Sequence, residues 1–151
     1  MKNNSGVSLI ALIATIMIVI ILASISIFSG MESVDEAYNT KSDVEMNGLK
    51  EAVAKKMIDN ARNPASNPIV GRKIADATEL LDYIYNMTDE QKTAFTTRYV
   101  NSNKDYYRIV DAAGATILGV DGFGEASYYL VDYNLGDVYG PVDYETYVFD
   151  N

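Results

Sequence analysis

The sequence predicts an α+β fold. A long amino-terminal α-helix, membrane-spanning in its first half and amphipathic in its second, is expected to pack on a small globular domain with short helices and a carboxy-terminal antiparallel β-sheet. Three observations predict this architecture: an apolar run from Val7 to Phe28, a helical period that continues to Asn63-Pro64, and a change to strand-like segments from Asp105 onward.

The apolar run Val7 to Phe28 has 22 residues, whose polar members are Ser8, Thr15, Ser24 and Ser26. As a helix it would be about 33 Å long, against a hydrocarbon core of about 30 Å. A secretory signal has an apolar region of only about 7 to 15 residues. Residues 7–30 are therefore predicted to form a transmembrane helix. Lys2 precedes the run and acids follow it, which predicts a single pass through the cytoplasmic membrane with the carboxy-terminal domain outside.

Residues 31–62 are predicted to continue the helix in amphipathic form. Their apolar residues fall near one stripe, formed by Val34, Tyr38, Leu49, Val53 and Met57. Asn63-Pro64 then ends the helix, because the residue before proline is disfavoured in the helical region. If both parts are continuous, the helix would be on the order of 80 Å long.

Residues 63–151 are predicted to form an extracellular globular domain. A loop at 63–73, which contains two Asn-Pro steps, leads into two helical segments. Each segment begins with capping-box spacing, Asp76 with Glu79 and Thr88 with Gln91.

The rest of this domain has the composition of a sheet. Short β-branched and aromatic segments predict antiparallel strands at 106–110, 116–120, 127–133 and 137–139. Asn134-Leu135-Gly136 fits a three-residue hairpin turn with glycine in the left-handed position.

The composition argues against most enzymatic chemistry. The chain has no Cys and no His, which excludes disulfides, thiolate nucleophiles, imidazole bases and nearly all zinc or haem sites. No carboxylates occur at an interpretable catalytic spacing, so the protein is predicted not to be an enzyme. All 21 acids but only 11 of the 12 basic residues lie beyond the apolar run, and this net negative charge argues against direct binding of nucleic acid.

The acidic residues near the carboxyl end suggest a weak metal-site hypothesis. No Lys or Arg follows Arg108. Calcium binds six to eight oxygens, and the candidate ligands are Asp121, Glu125, Asp132 and Asp137. Their spacing matches no EF-hand loop, so a solvated acidic face is favoured and no cofactor is predicted.

Tyrosine is abundant, with nine of the 12 residues from Tyr99 onward. Ordinary strand composition explains this distribution, and contact with another subunit or a ligand is the alternative.

The amino-terminal start has a recognisable pattern. A polar leader, MKNNSG, ends in Gly6 and is followed directly by Val7, Ser8, Leu9 and Ile10. This pattern resembles the type IV pilin and pseudopilin family, in which a short basic leader ends in glycine before a hydroxyl residue and a Leu-Ile pair. The resemblance implies that residues 1–6 are a leader, that a prepilin peptidase cuts between Gly6 and Val7, and that Val7 is then N-methylated.

The resemblance also implies a function and partners. The chain would be a structural subunit of a type IV pilus, a type II secretion-like filament or a DNA-uptake filament for competence, reaching the cell surface on assembly. Its partners would be other pilin-like subunits and an inner-membrane assembly platform. The assembly contacts would involve Val7, Ser8, Leu9, Ile10 and Ala11. Ala11 departs from the family pattern, because most members have glutamate there to neutralise the neighbouring subunit's amino terminus. The chain could resemble either the tip-located minor pseudopilins that lack this acid or an acid-free group of pilin-like proteins in Gram-positive bacteria, and both explanations stay open.

Two alternatives remain open. One is a single-pass membrane-anchored extracellular binding domain that does not polymerise, and the other is a secreted calcium- or ligand-binding domain released by signal peptidase beyond Ala23. The three hypotheses predict mature chains that begin at Val7, at Met1, or between Ser26 and Met31.

Overall fold

The computed structural model describes the backbone of residues 5–149 and the side chains of residues 11–20 and 36–147. The chain divides into two units, Met1–Lys41 and Ser42–Asn151. The helices are α1 (Ser5–Arg62), α2 (Asp89–Val100), α3 (Ala112–Leu118) and α4 (Tyr144–Phe149), and 3-10 helices occur at Ala77–Tyr83 and Lys104–Tyr106. The strands are β1 (Arg72–Lys73), β2 (Tyr107–Val110), β3 (Tyr129–Asp132) and β4 (Asp137–Tyr139).

The predicted membrane-spanning first half of the long helix is wrong. Among the residues whose side chains are described, no helix is both long enough and apolar enough to cross a membrane. From Glu36 onward α1 carries charged side chains at short intervals. The α+β class and the antiparallel sheet are confirmed.

The second unit is built around a four-stranded antiparallel sheet in the order β1-β2-β3-β4. In its register Ile109 lies opposite Leu130, and Leu130 lies opposite Tyr139. All four residues of β3 are buried, so both faces of this strand are covered. Because side chains alternate along a strand, Leu130 points to one face while Tyr129 and Val131 point to the other.

Each face of the sheet has its own hydrophobic core. The first core joins the sheet to the carboxy-terminal part of α1 and to α3, and its fully buried members include Leu49, Val53, Val110, Ala115, Tyr129 and Val131. The second core joins the sheet to the 3-10 helix at Ala77–Tyr83 and to α2, and its members include Ala77, Leu80, Phe95, Tyr99, Ile109 and Leu130. The second unit is therefore a three-layer structure with the sheet in the middle.

The predicted amphipathic stripe of α1 is confirmed only near the sheet. Leu49 and Val53 are fully buried and Met57 packs against the first core. Tyr38 is exposed. The side chain of Val34 lies outside the described residues.

The helix starts were predicted with mixed success. Thr88 and Gln91 form the expected capping box at the start of α2. Asp76 caps a 3-10 helix and accepts hydrogen bonds from the amide and hydroxyl groups of Thr78. The segment that Asp76 begins is therefore a 3-10 helix. The helix α4 was not predicted from the sequence.

The predicted strand at 116–120 is wrong, because residues 112–118 form α3. Asp111 caps this helix by accepting a 2.9 Å hydrogen bond from the Gly114 amide, and Gly119 ends it in the left-handed region. The other three predicted strands are confirmed within two residues at each end.

The hairpin between β3 and β4 is confirmed. Gly136 has a φ of 81° and its amide donates a 2.8 Å hydrogen bond to the Asp132 carbonyl. The turn requires glycine for its conformation, and a Cβ at this position would lie 3.2 Å from the sulfur of Met57, so the turn also packs closely against α1.

Candidate assembly surface

The largest apolar surface in the described part of the first unit is the segment 11–20 of α1, here named the apolar segment. All ten residues are exposed, and the large side chains among them are 48% to 60% exposed: Leu12, Ile13, Ile16, Met17, Ile18, Val19 and Ile20. Ten consecutive helical positions cover every side of the helix, since a turn takes 3.6 residues. A helix that is apolar all round is normally buried, so the exposure of this segment is unusual.

The polar groups of the apolar segment do not oppose such burial. Its single hydroxyl side chain, Thr15, donates a 2.8 Å hydrogen bond to the Ala11 carbonyl one turn earlier. The segment contains no charged residue. Burial would therefore leave no unpaired side-chain donor, which removes the usual desolvation cost.

The residues predicted for processing lie at the start of α1. The backbone at Gly6 and Val7 belongs to the helix, as does that of residues 8–10. The side chains of residues 7–10 and all of residues 1–4 lie outside the described residues. Ala11 is exposed at the start of the apolar segment.

The four calcium candidates are not gathered at one place. Asp121 and Glu125 are exposed in the loop between α3 and β3. Asp132 is buried, and its Oδ1 atom accepts hydrogen bonds of 2.8 and 2.9 Å from the amide and side chain of Asn134. Asp137 accepts a 3.1 Å hydrogen bond from Arg98. No group of three or more acidic side chains that could share a metal ion occurs among the described residues.

Asp137 belongs instead to a polar network between α2 and β4. The Arg98 guanidinium donates to both Asp137 and the Tyr139 hydroxyl, and Tyr139 itself donates a 3.1 Å hydrogen bond to Asp137. Burial and the neighbouring Asp137 carboxylate raise the pKa of Tyr139 to about 12. The network holds the last strand against α2 and leaves Asp137 engaged with Arg98.

A buried acid on α1, Glu45, holds the loop that contains Asp121 and Glu125. This role was not predicted from the sequence. Glu45 accepts a 2.9 Å hydrogen bond from the Gly124 amide and a 3.0 Å hydrogen bond from the Tyr129 hydroxyl. The position of Glu45 could have indicated its burial, because it precedes Leu49 by four residues and therefore lies on the buried stripe of α1. Its role in the described structure is to fasten the loop and β3 to the helix.

A second surface of interest lies on the side of the sheet covered by the second core. Four partly buried tyrosines, Tyr83, Tyr128, Tyr144 and Tyr147, pack against that core and are here named the tyrosine patch. Neighbouring rings have centroid distances between 5.3 and 5.9 Å. Such spacing is typical of favourable aromatic pairs, so the rings support one another.

Acidic residues surround the tyrosine patch. Tyr147 donates a short hydrogen bond to Glu79, and Tyr128 donates one of 3.4 Å to Glu145. The hydrogen bond to Glu79, together with burial, raises the pKa of Tyr147 to about 12. The guanidinium of Arg72 lies 5.4 Å from the centroid of the Tyr144 ring, within the range of a cation–π contact. The patch therefore offers aromatic faces beside carboxylates.

Comparison of the chain with protein-family models, with curated proteins and with solved structures found no match.

Proposed function

We propose that this protein is a pilin-like structural subunit that assembles through its amino-terminal helix into a filament. The single observation that carries the proposal is the exposure of seven large apolar side chains on all sides of α1 between Leu12 and Ile20. The pilin-like start at Gly6-Val7-Ser8 supports the same function.

Packing of apolar segments from several copies supplies the free energy of assembly. Burying a large aliphatic side chain stabilises a complex by about 1.5 to 3 kcal/mol relative to full exposure. Because the side chains of the apolar segment are about half exposed, each retains a substantial part of that contribution. Small residues at Ala11 and Ala14 allow neighbouring helices to approach closely.

Ala11 gives the contact a purely apolar character. A glutamate at this position would bring a carboxylate into the packed bundle, where it costs several kcal/mol unless a positive partner is present. With alanine, assembly does not depend on pairing with a neighbouring amino terminus. We therefore propose that Ala11 belongs to the packing surface.

Processing is tested by the mass of the mature chain in the native host. The proposal predicts an amino terminus at methyl-Val7. An intact Met1 would support the non-polymerising anchored domain, and a start between Ser26 and Met31 would support secretion by signal peptidase. A chain left uncut after Gly6 in cells with an active prepilin peptidase would contradict the proposal.

Assembly is tested by introducing a charge into the apolar segment. Ile16→Asp is expected to reduce the filament fraction sheared from cells by on the order of tenfold or more, because an unpaired buried carboxylate costs several kcal/mol. The matched control is Ile117→Asp, which changes an exposed isoleucine of α3 in the second unit. This control is expected to leave the filament fraction unchanged.

Two outcomes would contradict the proposed function. Equal loss of filaments in both variants would show that the effect is not specific to the apolar segment. Full assembly of Ile16→Asp, with normal protein abundance, would show that this segment is not buried between subunits.

A further inference from the structure

The tyrosine side chains are the groups of this chain that a one-electron oxidant attacks first. The sequence contains 12 Tyr but no Trp and no Cys, the other two side chains that readily lose a single electron. Methionine reacts with oxidants mainly by oxygen transfer to its sulfur, which is a different, two-electron step. Which tyrosine gives up the electron is then decided by its exposure and by the base that takes up its proton.

A phenol releases an electron more easily when a base already accepts a hydrogen bond from its hydroxyl. Loss of the electron makes the hydroxyl strongly acidic, and a hydrogen-bonded base takes up the proton in the same step. A carboxylate suits this role because it is ionised at neutral pH and accepts from hydroxyl groups. Within the described residues, the tyrosines that donate to a carboxylate include Tyr128, Tyr129, Tyr139 and Tyr147.

Three of these hydrogen bonds are less suited to oxidation. Tyr129 is fully buried, so an oxidant in solution does not reach its ring. The carboxylate of Asp137, which accepts from Tyr139, also accepts a 3.1 Å hydrogen bond from the Arg98 guanidinium, and this positive charge makes it a weaker base. Tyr128 donates over 3.4 Å, a long distance for a hydrogen bond. The fourth hydrogen bond has none of these features.

This fourth hydrogen bond joins Tyr147 of α4 to Glu79 of the 3-10 helix at Ala77–Tyr83. It is short, and the Tyr147 side chain is partly exposed, so an oxidant in solution can approach the ring. In the part of the chain that the structure describes, Glu79 forms no ion pair. No paired cation there weakens Glu79 as a base.

Two tyrosine rings adjoin the ring of Tyr147. Their centroids lie 5.3 Å away for Tyr83 and 5.9 Å away for Tyr144, close enough for rapid exchange of an electron between rings. The Arg72 guanidinium lies 5.4 Å from the centroid of the Tyr144 ring, and its positive charge opposes the loss of an electron from that ring. The oxidised state is therefore shared with Tyr83 more than with Tyr144.

We propose that Tyr147 and Glu79 form a redox-active site that gives one electron to one-electron oxidants, such as small inorganic radicals. The electron leaves the Tyr147 phenol and reduces the oxidant, while the hydroxyl proton moves to the Glu79 carboxylate. The O–H bond of Tyr147 breaks and an O–H bond forms on Glu79, which leaves a neutral phenoxyl radical beside a neutral carboxyl group. This activity does not rest on the proposed filament function.

The test exposes the purified full-length chain to azide radicals produced by pulse radiolysis, which accept one electron and become azide ions. A nitroso spin trap captures the protein radicals, and peptide mass spectrometry locates the adducts. Tyr147 is expected to carry several-fold more adduct than Tyr38 or Tyr85, although these two are 54% and 53% exposed. An adduct distribution that follows exposure, with Tyr38 and Tyr85 labelled most, would overturn the proposal.

Glu79→Gln removes the proton acceptor and keeps the size of the side chain. It is expected to lower the adduct at Tyr147 several-fold. The matched control is Glu125→Gln, which removes the same charge from an exposed position in the loop between α3 and β3 and is expected to behave as wild type. Wild-type labelling of Tyr147 in Glu79→Gln, or an equal loss in both variants, would overturn the role of Glu79.

A second variant tests the site without a change in the 3-10 helix. Tyr147→Phe keeps the ring in place and removes the hydroxyl that is oxidised. The rate of phenoxyl formation, followed by transient absorption, is expected to fall several-fold while the thermal unfolding midpoint confirms that the variant is folded. An unchanged rate in the folded variant would show that other tyrosines supply the electron and would overturn the proposal.

Discussion

At the scale of residues, the second unit is stabilised by tyrosine and carboxylate groups placed inside or at the edge of its cores. Tyr133 is buried and donates a 2.9 Å hydrogen bond to the Val70 carbonyl. Glu45 and Asp132 are also buried and are hydrogen-bonded. No buried side-chain nitrogen or oxygen atom within the described residues lacks a hydrogen-bond partner. These residues combine apolar packing with satisfied polar groups.

Alkaline pH is expected to destabilise the fold through Tyr133. Burial raises the pKa of this hydroxyl to about 12, above its ordinary value of 10.0. Since the folded state holds the proton more tightly than the unfolded state, the contribution of Tyr133 is complete below about pH 10 and is lost as the pH rises toward 12. Chemical unfolding of wild type and Tyr133→Phe between pH 7 and pH 11.5 measures this dependence.

The Tyr133→Phe variant is expected to lose about 1 kcal/mol at neutral pH and to show a weaker decline at alkaline pH. The difference between the two proteins should therefore shrink as the pH rises. Tyr85→Phe is the control, because Tyr85 is exposed. A difference that is constant across the pH range would contradict the assigned role of the Tyr133 proton.

Residue-level prediction from the sequence worked where the signal was local. Gly136 and the Thr88–Gln91 pair follow known turn and capping spacings, and both were identified correctly. Glu45 was missed because its partners, Gly124 and Tyr129, are about 80 positions away in sequence. No local sequence pattern predicts such a distant contact.

At the scale of elements, short helices depend on their caps more than on their composition. The side chain of Thr88 accepts a hydrogen bond from the Gln91 amide, and the Gln91 side chain accepts one of 2.9 Å from the Thr88 amide. Asp89 and Glu90 in the first turn also favour the helix through its dipole. The cap fixes the start of α2 and thereby the placement of Phe95 and Tyr99 in the second core.

Thr88→Ala is expected to lower the free energy of unfolding by about 1 kcal/mol, because it leaves helix amides without their capping partner. The matched control is Thr93→Ala in the same helix. Thr93 is exposed and its hydroxyl donates to the Asp89 carbonyl, so alanine there should be neutral or slightly stabilising. Thermal or denaturant unfolding of both variants measures the difference, and equal losses would argue against a capping role.

The one strand predicted in error shows why element type is hard to infer. Thr116, Ile117 and Val120 are β-branched, and β-branched residues favour strands in general. Here Asp111 and Gly119 bound the segment as a helix, and Ala115 is small enough to pack beneath the sheet. In this seven-residue helix, capping and packing outweighed the intrinsic preference of the β-branched residues for strands.

At the scale of the whole molecule, the described parts of the two units differ in packing and exposure. The described members of both hydrophobic cores all come from residue 46 onward, within the second unit. The described part of the first unit presents the apolar segment to its surroundings. The sequence predicted the α+β class, but the placement of helices on both faces of the sheet depends on long-range contacts that a linear pattern does not reveal.

A chain of residues 42–151 is expected to fold alone. Its thermal midpoint should lie within about 4 °C of that of the full chain, which corresponds to less than about 1 kcal/mol. Circular dichroism and hydrogen exchange at the β3 amides provide the measurement. A midpoint lowered by 10 °C or more would indicate that the first 41 residues contribute to the folded core.

The edges of the sheet have a further consequence for the way the molecule can associate. β1 has only two residues, both with exposed basic side chains, and β4 has three, with the charged Asp137 at its start. Short, charged outer strands are poor templates for the addition of another strand. The molecule is thereby protected against amyloid-like growth by backbone pairing at the edges of its sheet.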